Sequence, residues 1–130
     1  MTTDYSTGAF ARRIAKASVL AMLTLSPLAA MAADLTPFLG RWDAASPNCS
    51  YPDGDGIFVI ERSRIRYYEA ICDIVSSRSA GIGSAVIIER RCEGEGEVWR
   101  DETLLVALEQ NMIALYQADG GGFTAGRCAR

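Results

Sequence analysis

Four cysteines follow a stretch with the layout of an export signal, and this combination constrains the fold more than any other feature. They are Cys49, Cys72, Cys92 and Cys128, and no two of them form a C-x-x-C pair. An even number of cysteines in a short exported chain indicates a disulfide framework. We therefore predict two structural disulfides, which stabilise a domain too small to bury a large core.

The N-terminal residues have the order of a cleavable secretory signal. A positively charged region at residues 12–16 precedes an apolar run at 17–25, and residues 30–32 read Ala-Met-Ala. We predict that residues 1–32 are removed and that residues 33–130 form one β domain, periplasmic or secreted. The apolar stretch is shorter than the roughly 20 residues of a spanning helix. Stable membrane insertion is therefore not expected after signal removal.

Composition argues against most catalytic chemistry. Residues 33–130 contain fifteen acidic residues and ten arginines, with neither lysine nor histidine. The usual general base, the commonest metal ligand and any Schiff-base amine are therefore absent. Carboxylate pairs such as Glu69 with Asp73, or Asp101 with Glu102, offer a glycosidase reading, but no spacing singles one out. We therefore expect that the protein is not an enzyme and that it binds no cofactor. The negative charge argues against nucleic-acid binding and suits a basic protein partner.

Short apolar runs alternate with turn residues along the whole domain, which is typical of an all-β protein. We predict a small antiparallel β-barrel or a strongly bent meander sheet with two disulfides. The candidate strands are 40–43, 57–61, 64–69, 71–76, 85–92, 98–101, 104–108, 112–116 and 124–128. The predicted core contains Trp42, Phe58, Ile60, Ile65, Tyr67, Ile87, Trp99, Leu105, Leu115 and Phe123.

Residues 102–117 fit two structures. Leu104, Leu108, Met112 and Leu115 recur at helical spacing, so the segment could form a helix. It also fits two strands that turn around residues 109–111, where asparagine tolerates the left-handed conformation. We favour the hairpin.

One disulfide pairing is favoured by hairpin geometry. Four cysteines allow three pairings. Cys72 and Cys92 are symmetric about Ile82, which lies between two glycines at a natural hairpin tip. A hairpin folded there places the two cysteines opposite each other, at about the separation a disulfide needs. Cys49 and Cys128 then pair and tie the first loop to the last strand.

Two acidic stretches are candidate binding sites. Asp53 and Asp55 lie in a D-G-D-G run and are weak candidates for cation ligands, although a tight turn is favoured. Glu93, Glu95 and Glu97 alternate with glycine. On an extended strand they would share one face and could contact a basic partner or calcium. The alternative is a flexible, solvated loop.

A row of arginines forms a third candidate. Arg62, Arg64 and Arg66 would share one face of a regular strand and could bind a carboxylate or phosphate group of a partner. The alternative is an exposed row that keeps a β-edge from pairing with other chains.

The residues Gly40-Arg41-Trp42 resemble the G-x-W motif that begins the first strand of lipocalin-like barrels. Small bacterial periplasmic protease inhibitors have a similar opening, a similar length and an eight-stranded barrel. The resemblance implies a closed barrel in which Trp42 packs at one end against an arginine near the end of the chain. Arg127 fits that role through a cation–π contact. The four cysteines depart from the inhibitors.

These observations lead to one preferred function. We expect an exported periplasmic module, monomeric, that binds another protein and inhibits a hydrolase such as lysozyme or a protease. The alternatives are a lipocalin-like carrier of a small ligand and a cell-envelope maintenance protein without a discrete site. A carrier needs a cavity, whereas the large apolar side chains of this short domain should fill a small barrel.

Overall fold

The computed structural model describes residues 31–46, 48–109 and 111–129. The predicted signal peptide therefore lies almost entirely outside the described residues. Eight strands form a closed antiparallel barrel in sequence order, which confirms the predicted all-β class. The strands are β1 (Gly40–Asp43), β2 (Ile57–Ile60), β3 (Arg64–Arg66), β4 (Ala70–Ser79), β5 (Val86–Gly94), β6 (Glu97–Ala107), β7 (Met112–Gln117) and β8 (Gly122–Arg127).

The ambiguous segment 102–117 is a hairpin, as favoured, and the helical alternative is wrong. β6 and β7 pair from Thr103 with Gln117 to Ala107 with Ile113. The connection between them includes Asn111 at φ 59°, a conformation that asparagine tolerates. The predicted strands 98–101 and 104–108 are halves of the continuous β6, so eight strands replace nine candidates.

Both predicted disulfides are present. Cys72 lies directly opposite Cys92 in the β4–β5 ladder, and the two are bonded. Cys49 bonds Cys128 across 79 residues of sequence. The two disulfides indicate an oxidising, extracytoplasmic environment. No helix within the described ranges is long and apolar enough to cross a bilayer.

The barrel interior is filled by side chains from alternate strand positions. On β5 the inward residues are those in step with Cys92, because successive side chains on a strand point to opposite faces. Ile87 is out of step with Cys92 and faces outward, so its predicted core position is wrong. Of the predicted core, six residues are at most 2% exposed: Trp42, Phe58, Ile60, Ile65, Leu105 and Leu115.

Two other predicted core residues face inward but lie near one end of the barrel. Trp99 pairs with Cys92, and Phe123 pairs with Leu115, so both are on the inner side of the sheet. They are nevertheless 40% and 36% exposed. Tyr67 is half-buried against the core. These three aromatic residues line a barrel end instead of its centre.

The opposite end of the barrel is closed by a 3₁₀ turn, Thr36–Phe38, whose last residue is fully buried. The indole Nε1 of Trp42 donates a 2.8 Å hydrogen bond to the last carbonyl of this turn. The Arg127 guanidinium lies 4.1 Å from the centre of the Trp42 ring system and donates to the carbonyls of Leu39 and Pro37 at 2.7 and 2.8 Å. The predicted contact of Trp42 with Arg127 is therefore present. We call this the plugged end.

The other end, which we call the rim end, is formed by every second connection of the meander. In an antiparallel barrel successive connections alternate between the two ends. Four connections therefore start and finish at the rim end, although the middle of the first one folds back along the outer face of β1, where Cys49 bonds Cys128 and Arg41 donates to the Pro52 carbonyl. They are residues 44–56, 67–69, 95–96 and 118–121.

Candidate binding surface at the rim end

A charged network lies inside the barrel beneath the rim end. Arg90 on β5 is opposite Asp101 on β6, and both point inward. The Nε and Nη2 atoms of Arg90 donate to the two carboxylate oxygens of Asp101, each at 2.7 Å. Its Nη1 donates to the Tyr67 hydroxyl at 2.8 Å, and the Thr103 hydroxyl donates to Asp101 at 3.2 Å. The Arg90 side chain is 4% exposed and that of Asp101 is 21% exposed.

The network holds its groups in defined protonation states. Burial would raise the pKa of Asp101, but the hydrogen bonds and charge of Arg90, with help from Thr103 and Trp99, outweigh it and lower the pKa below 3.8. Burial raises the pKa of Tyr67 above 10.0, against the opposing charge of Arg90. At neutral pH the network is therefore a compensated ion pair with a neutral phenol, a stable arrangement for a buried arginine.

Aromatic rings continue the network across the barrel. Phe58 stacks on Tyr67 with 5.5 Å between ring centroids. Phe123 meets Phe58 edge to face at 5.8 Å. Arg90 lies 5.9 Å from the centre of the Tyr67 ring. The aromatic rings and the ion pair together form a layer that fills the barrel interior just below the rim end.

The four connections at the rim end carry acidic residues and no basic ones. With Glu97, the first residue of β6, these acids form what we call the acidic rim. All six are exposed. None of them makes an ion pair with another described residue. The acidic rim consists of Asp53, Asp55, Glu69, Glu95, Glu97 and Asp119.

The outer wall of β3–β6 is organised differently, because its acids are matched by arginines. Five ion pairs cover this face at N–O distances between 2.8 and 4.0 Å. The wall is therefore close to neutral, and the uncompensated negative charge is concentrated at the rim end. The pairs are Arg64–Asp73, Arg66–Glu61, Arg78–Glu102, Arg100–Glu89 and Arg91–Glu93.

The predicted acidic set 93–97 is divided between two surfaces. Glu95 and Gly96 form a two-residue hairpin turn with φ of 49° and 80°, both in the left-handed region of a type I′ turn. Glu93 pairs with Val98 on the outer wall, whereas Glu97 pairs with Gly94 on the other side of the sheet. The segment is neither an extended strand with three aligned carboxylates nor a flexible loop. Only Glu95 and Glu97 belong to the acidic rim.

The predicted arginine row is interrupted. β3 begins at Arg64, so Arg62 lies in the preceding turn, where it borders a groove with Asp34 near the plugged end. Arg64 and Arg66 are on the outer wall and already have carboxylate partners. The three arginines therefore do not form one anion-binding face.

Asp53 and Asp55 lie in the 44–56 connection, within a series of tight turns. The Gly54 amide donates to the Tyr51 carbonyl, and the Ile57 amide donates to the Gly54 carbonyl. In the described part of the chain, no three acidic or cysteine side chains are grouped as a cation site requires. Both aspartates add negative charge to the acidic rim, and Asp53 lies at its outer margin, where it borders an outer groove with Arg41 and Arg66.

The network of Arg90, Asp101 and Thr103 was missed at the level of sequence. The proposed carboxylate pair of Asp101 with Glu102 is separated, because adjacent strand residues point to opposite faces. Glu102 faces Arg78 on the outer wall. Parity supplies the missed signal: once Cys92 is taken as inward, Arg90 two residues earlier must be inward as well.

Comparison with known proteins identifies no relative, since no family model, curated protein or solved structure matches the chain. The acidic rim and the layer beneath it must therefore be interpreted from their own chemistry.

Proposed function

We propose that the protein is an exported, periplasmic module that binds a basic protein through its acidic rim and inhibits a hydrolase, with lysozyme, a basic enzyme, as the first candidate. The observation that carries this proposal is the unequal distribution of charge. Wall acids have arginine partners, whereas the six rim acids have none among the described residues. Charge left uncompensated at one end of a small domain steers a partner of opposite charge toward that end.

The rim end also offers apolar contact area. Trp99 and Phe123 face the interior but remain 40% and 36% exposed, and Tyr68 in a rim connection is 67% exposed. Binding hot spots in protein interfaces are typically aromatic residues surrounded by polar ones. The charged layer of Arg90 and Asp101 lies below them, inside the barrel. A surface of this kind suits a protein partner better than a small ligand.

The carrier alternative has less support. An eight-stranded barrel has just enough interior for its own side chains or for one small ligand. Here the interior holds large buried residues, among them Ile88, Leu105 and Leu115, and the ring layer lies above them. The groove of about 450 Å³ that includes Arg41 and Tyr68 opens on the outside, between the 44–56 connection and β3.

A calorimetric titration against lysozyme, with enzyme activity measured in parallel, tests the proposal. The rim variant carries Asp53→Asn, Glu95→Gln, Glu97→Gln and Asp119→Asn. Exposed charge pairs are each worth about 0.2–1 kcal/mol. We therefore expect a loss of about 2 kcal/mol, close to 30-fold in affinity, with a smaller difference at high salt.

A matched control removes the same number of negative charges from the outer wall. It carries Glu61→Gln, Asp73→Asn, Glu89→Gln and Glu102→Gln. Equal weakening by both variants would show that net charge, not the acidic rim, is responsible. Absence of binding to lysozyme and to a panel of basic secreted proteases would reject the proposed inhibition.

A further inference from the structure

Pairing between neighbouring strands is incomplete at several places in the described barrel, one of which lies along β8 next to the acidic rim. β8 pairs with β7 along five residues, Gly122–Gly126. β1 reaches only the last two residues of β8, Gly126 and Arg127. Residues 122–125 therefore have a strand neighbour on one side only, and they form what we call the β8 edge. An exposed strand edge is a template for pairing with another chain.

The backbone of the β8 edge points its free groups toward the missing neighbour. The Arg127 amide donates to the Asn111 carbonyl. The backbone N–H and C=O groups of odd-numbered residues of β8 therefore point toward β7. Alternate residues of an antiparallel strand direct their backbone groups to opposite sides. The N–H and C=O groups of Gly122 and Thr124 thus face away from β7. In the described ranges no strand pairs with them there, and Thr124 is exposed.

The gap has a cause in the sequence at the end of β1. The buried Asp43 carboxylate accepts hydrogen bonds from the amides of Ala45 and Ser46, at 2.8 and 3.0 Å. The Ala44 amide donates to the Gly56 carbonyl at 2.9 Å. These bonds turn the chain over the start of β2 instead of continuing beside β8. The edge is therefore held open by a buried side chain.

We propose that the β8 edge accepts an extended, basic segment of the partner protein as an added strand. The inference rests on the proposed function, because it describes how the partner of the acidic rim is held. Gly122 and Thr124 offer four backbone groups to such a strand, a recognised mode of peptide binding. Asp119 in the adjoining turn provides negative charge, and Phe123, 36% exposed, provides an apolar neighbour. A second copy of the chain is disfavoured, since it would bring two acidic edges together.

The first experiment uses a synthetic eight-residue peptide of alternating lysine and valine, titrated into the protein from residue 33 onward. Amide hydrogen exchange at Gly122 and Thr124 should slow at least about tenfold. Phe123, whose amide faces β7, serves as an internal reference. A peptide of the same sequence with every backbone nitrogen methylated keeps the charge but cannot extend the sheet by either of its edges. Equal binding of both peptides would overturn the proposal.

The second experiment changes the edge itself. Thr124→Pro removes the free N–H and leaves the bonds to β7 intact, whereas Thr124→Val changes the side chain and keeps the N–H. We expect at least tenfold weaker peptide binding for the proline variant and unchanged binding for the valine variant. Unchanged binding of a folded proline variant contradicts the proposal. If the proline variant does not fold, the methylated peptide decides.

The two proposals fail in different ways. Lysozyme binding that depends on the acidic rim but is unaffected by Thr124→Pro would leave the proposed function standing and remove the β8 edge from it. Peptide pairing at the β8 edge without any binding of a basic hydrolase would support the β8 edge as a binding site and reject the proposed function.

Discussion

Removing the negative half of the buried Arg90–Asp101 pair should cost far more than replacing the whole pair. Asp101→Asn leaves the Arg90 guanidinium 4% exposed without its counter-charge. Breaking a buried ion pair from one side costs about 3–5 kcal/mol. Because Asp101 is itself 21% exposed, we expect the lower end, about 3 kcal/mol. That is a large fraction of the roughly 5–15 kcal/mol that stabilises a domain of this size.

The matched double variant, Arg90→Met with Asp101→Leu, removes both charges and fills the same space. Replacing a buried ion pair by apolar residues of similar volume is often neutral or stabilising. Urea unfolding followed by tryptophan fluorescence measures both effects. With a slope of about 1.5 kcal/mol per molar urea, the single variant should lose about 2 M in its midpoint and the double variant less than 1 M. If the single variant unfolds within about 0.5 M of the parent midpoint, our view of the network is wrong.

Acid pH supplies an independent check on the same pair. The pKa of Asp101 lies below 3.8 in the folded protein. A carboxyl with a lowered pKa stabilises the fold fully above its unfolded pKa, and this contribution is lost as the pH falls through the folded value. The stability gap between the parent and Asp101→Asn should therefore narrow below about pH 4. A gap that stays constant down to pH 2 would contradict the assigned ion pair.

Three further predictions concern other parts of the barrel. Tyr67→Phe should remove the component of the tyrosinate absorbance titration that appears at the highest pH, because burial raises the pKa of this phenol; loss of a component that titrates at lower pH instead would contradict the burial of Tyr67. Replacing Cys49 and Cys128 by serine should cost about 4 kcal/mol in urea unfolding, since the disulfide closes a loop with a separation of 79 residues; a loss below about 1 kcal/mol would show that the loop is restrained in other ways. Gly40→Ala should lower the melting temperature by several degrees, because φ is +130° and a Cβ would lie 2.8 Å from the Arg127 guanidinium; an unchanged melting temperature would argue against that close contact.

The strand order and the disulfides were predictable because each depends on local signals. Counting from Gly81-Ile82-Gly83 places Cys72 opposite Cys92, and the ladder contains that pair, although the pairs nearer the tip are one residue out of the counted register. The bulge between Ile74 and Ser76 moves the register by one residue nearer the tip. Such a shift depends on packing and has no clear mark in the sequence. The disulfide lies beyond the bulge as seen from the tip, so the bulge is what brings Cys72 opposite Cys92; on the register near the tip, Cys72 would face Glu93.

The candidate site was predictable in its parts but not as a surface. Asp53, Asp55, Glu95 and Glu97 were recognised as charged positions, each within its own segment. Their assembly into one rim depends on the meander, which brings alternate connections to the same end. The inward side of β5 was misjudged at Ile87 because three consecutive β-branched residues give no periodicity. The buried Cys92 shows which face of β5 points inward, since residues two apart share a face. It places Arg90 inside the barrel and Ile87 outside.

The pairing of β1 with β8 has a consequence for how the molecule is made. The first and last strands of the barrel are neighbours, and Cys49 is bonded to Cys128, so the barrel cannot close until the chain has been synthesised as far as Cys128. Contacts between such distant residues slow folding. Meanwhile β1 would present an unprotected edge to other chains. Premature oxidation could join Cys49 to one of the two middle cysteines, and we expect shortened chains that end before β8 to accumulate such mispaired forms.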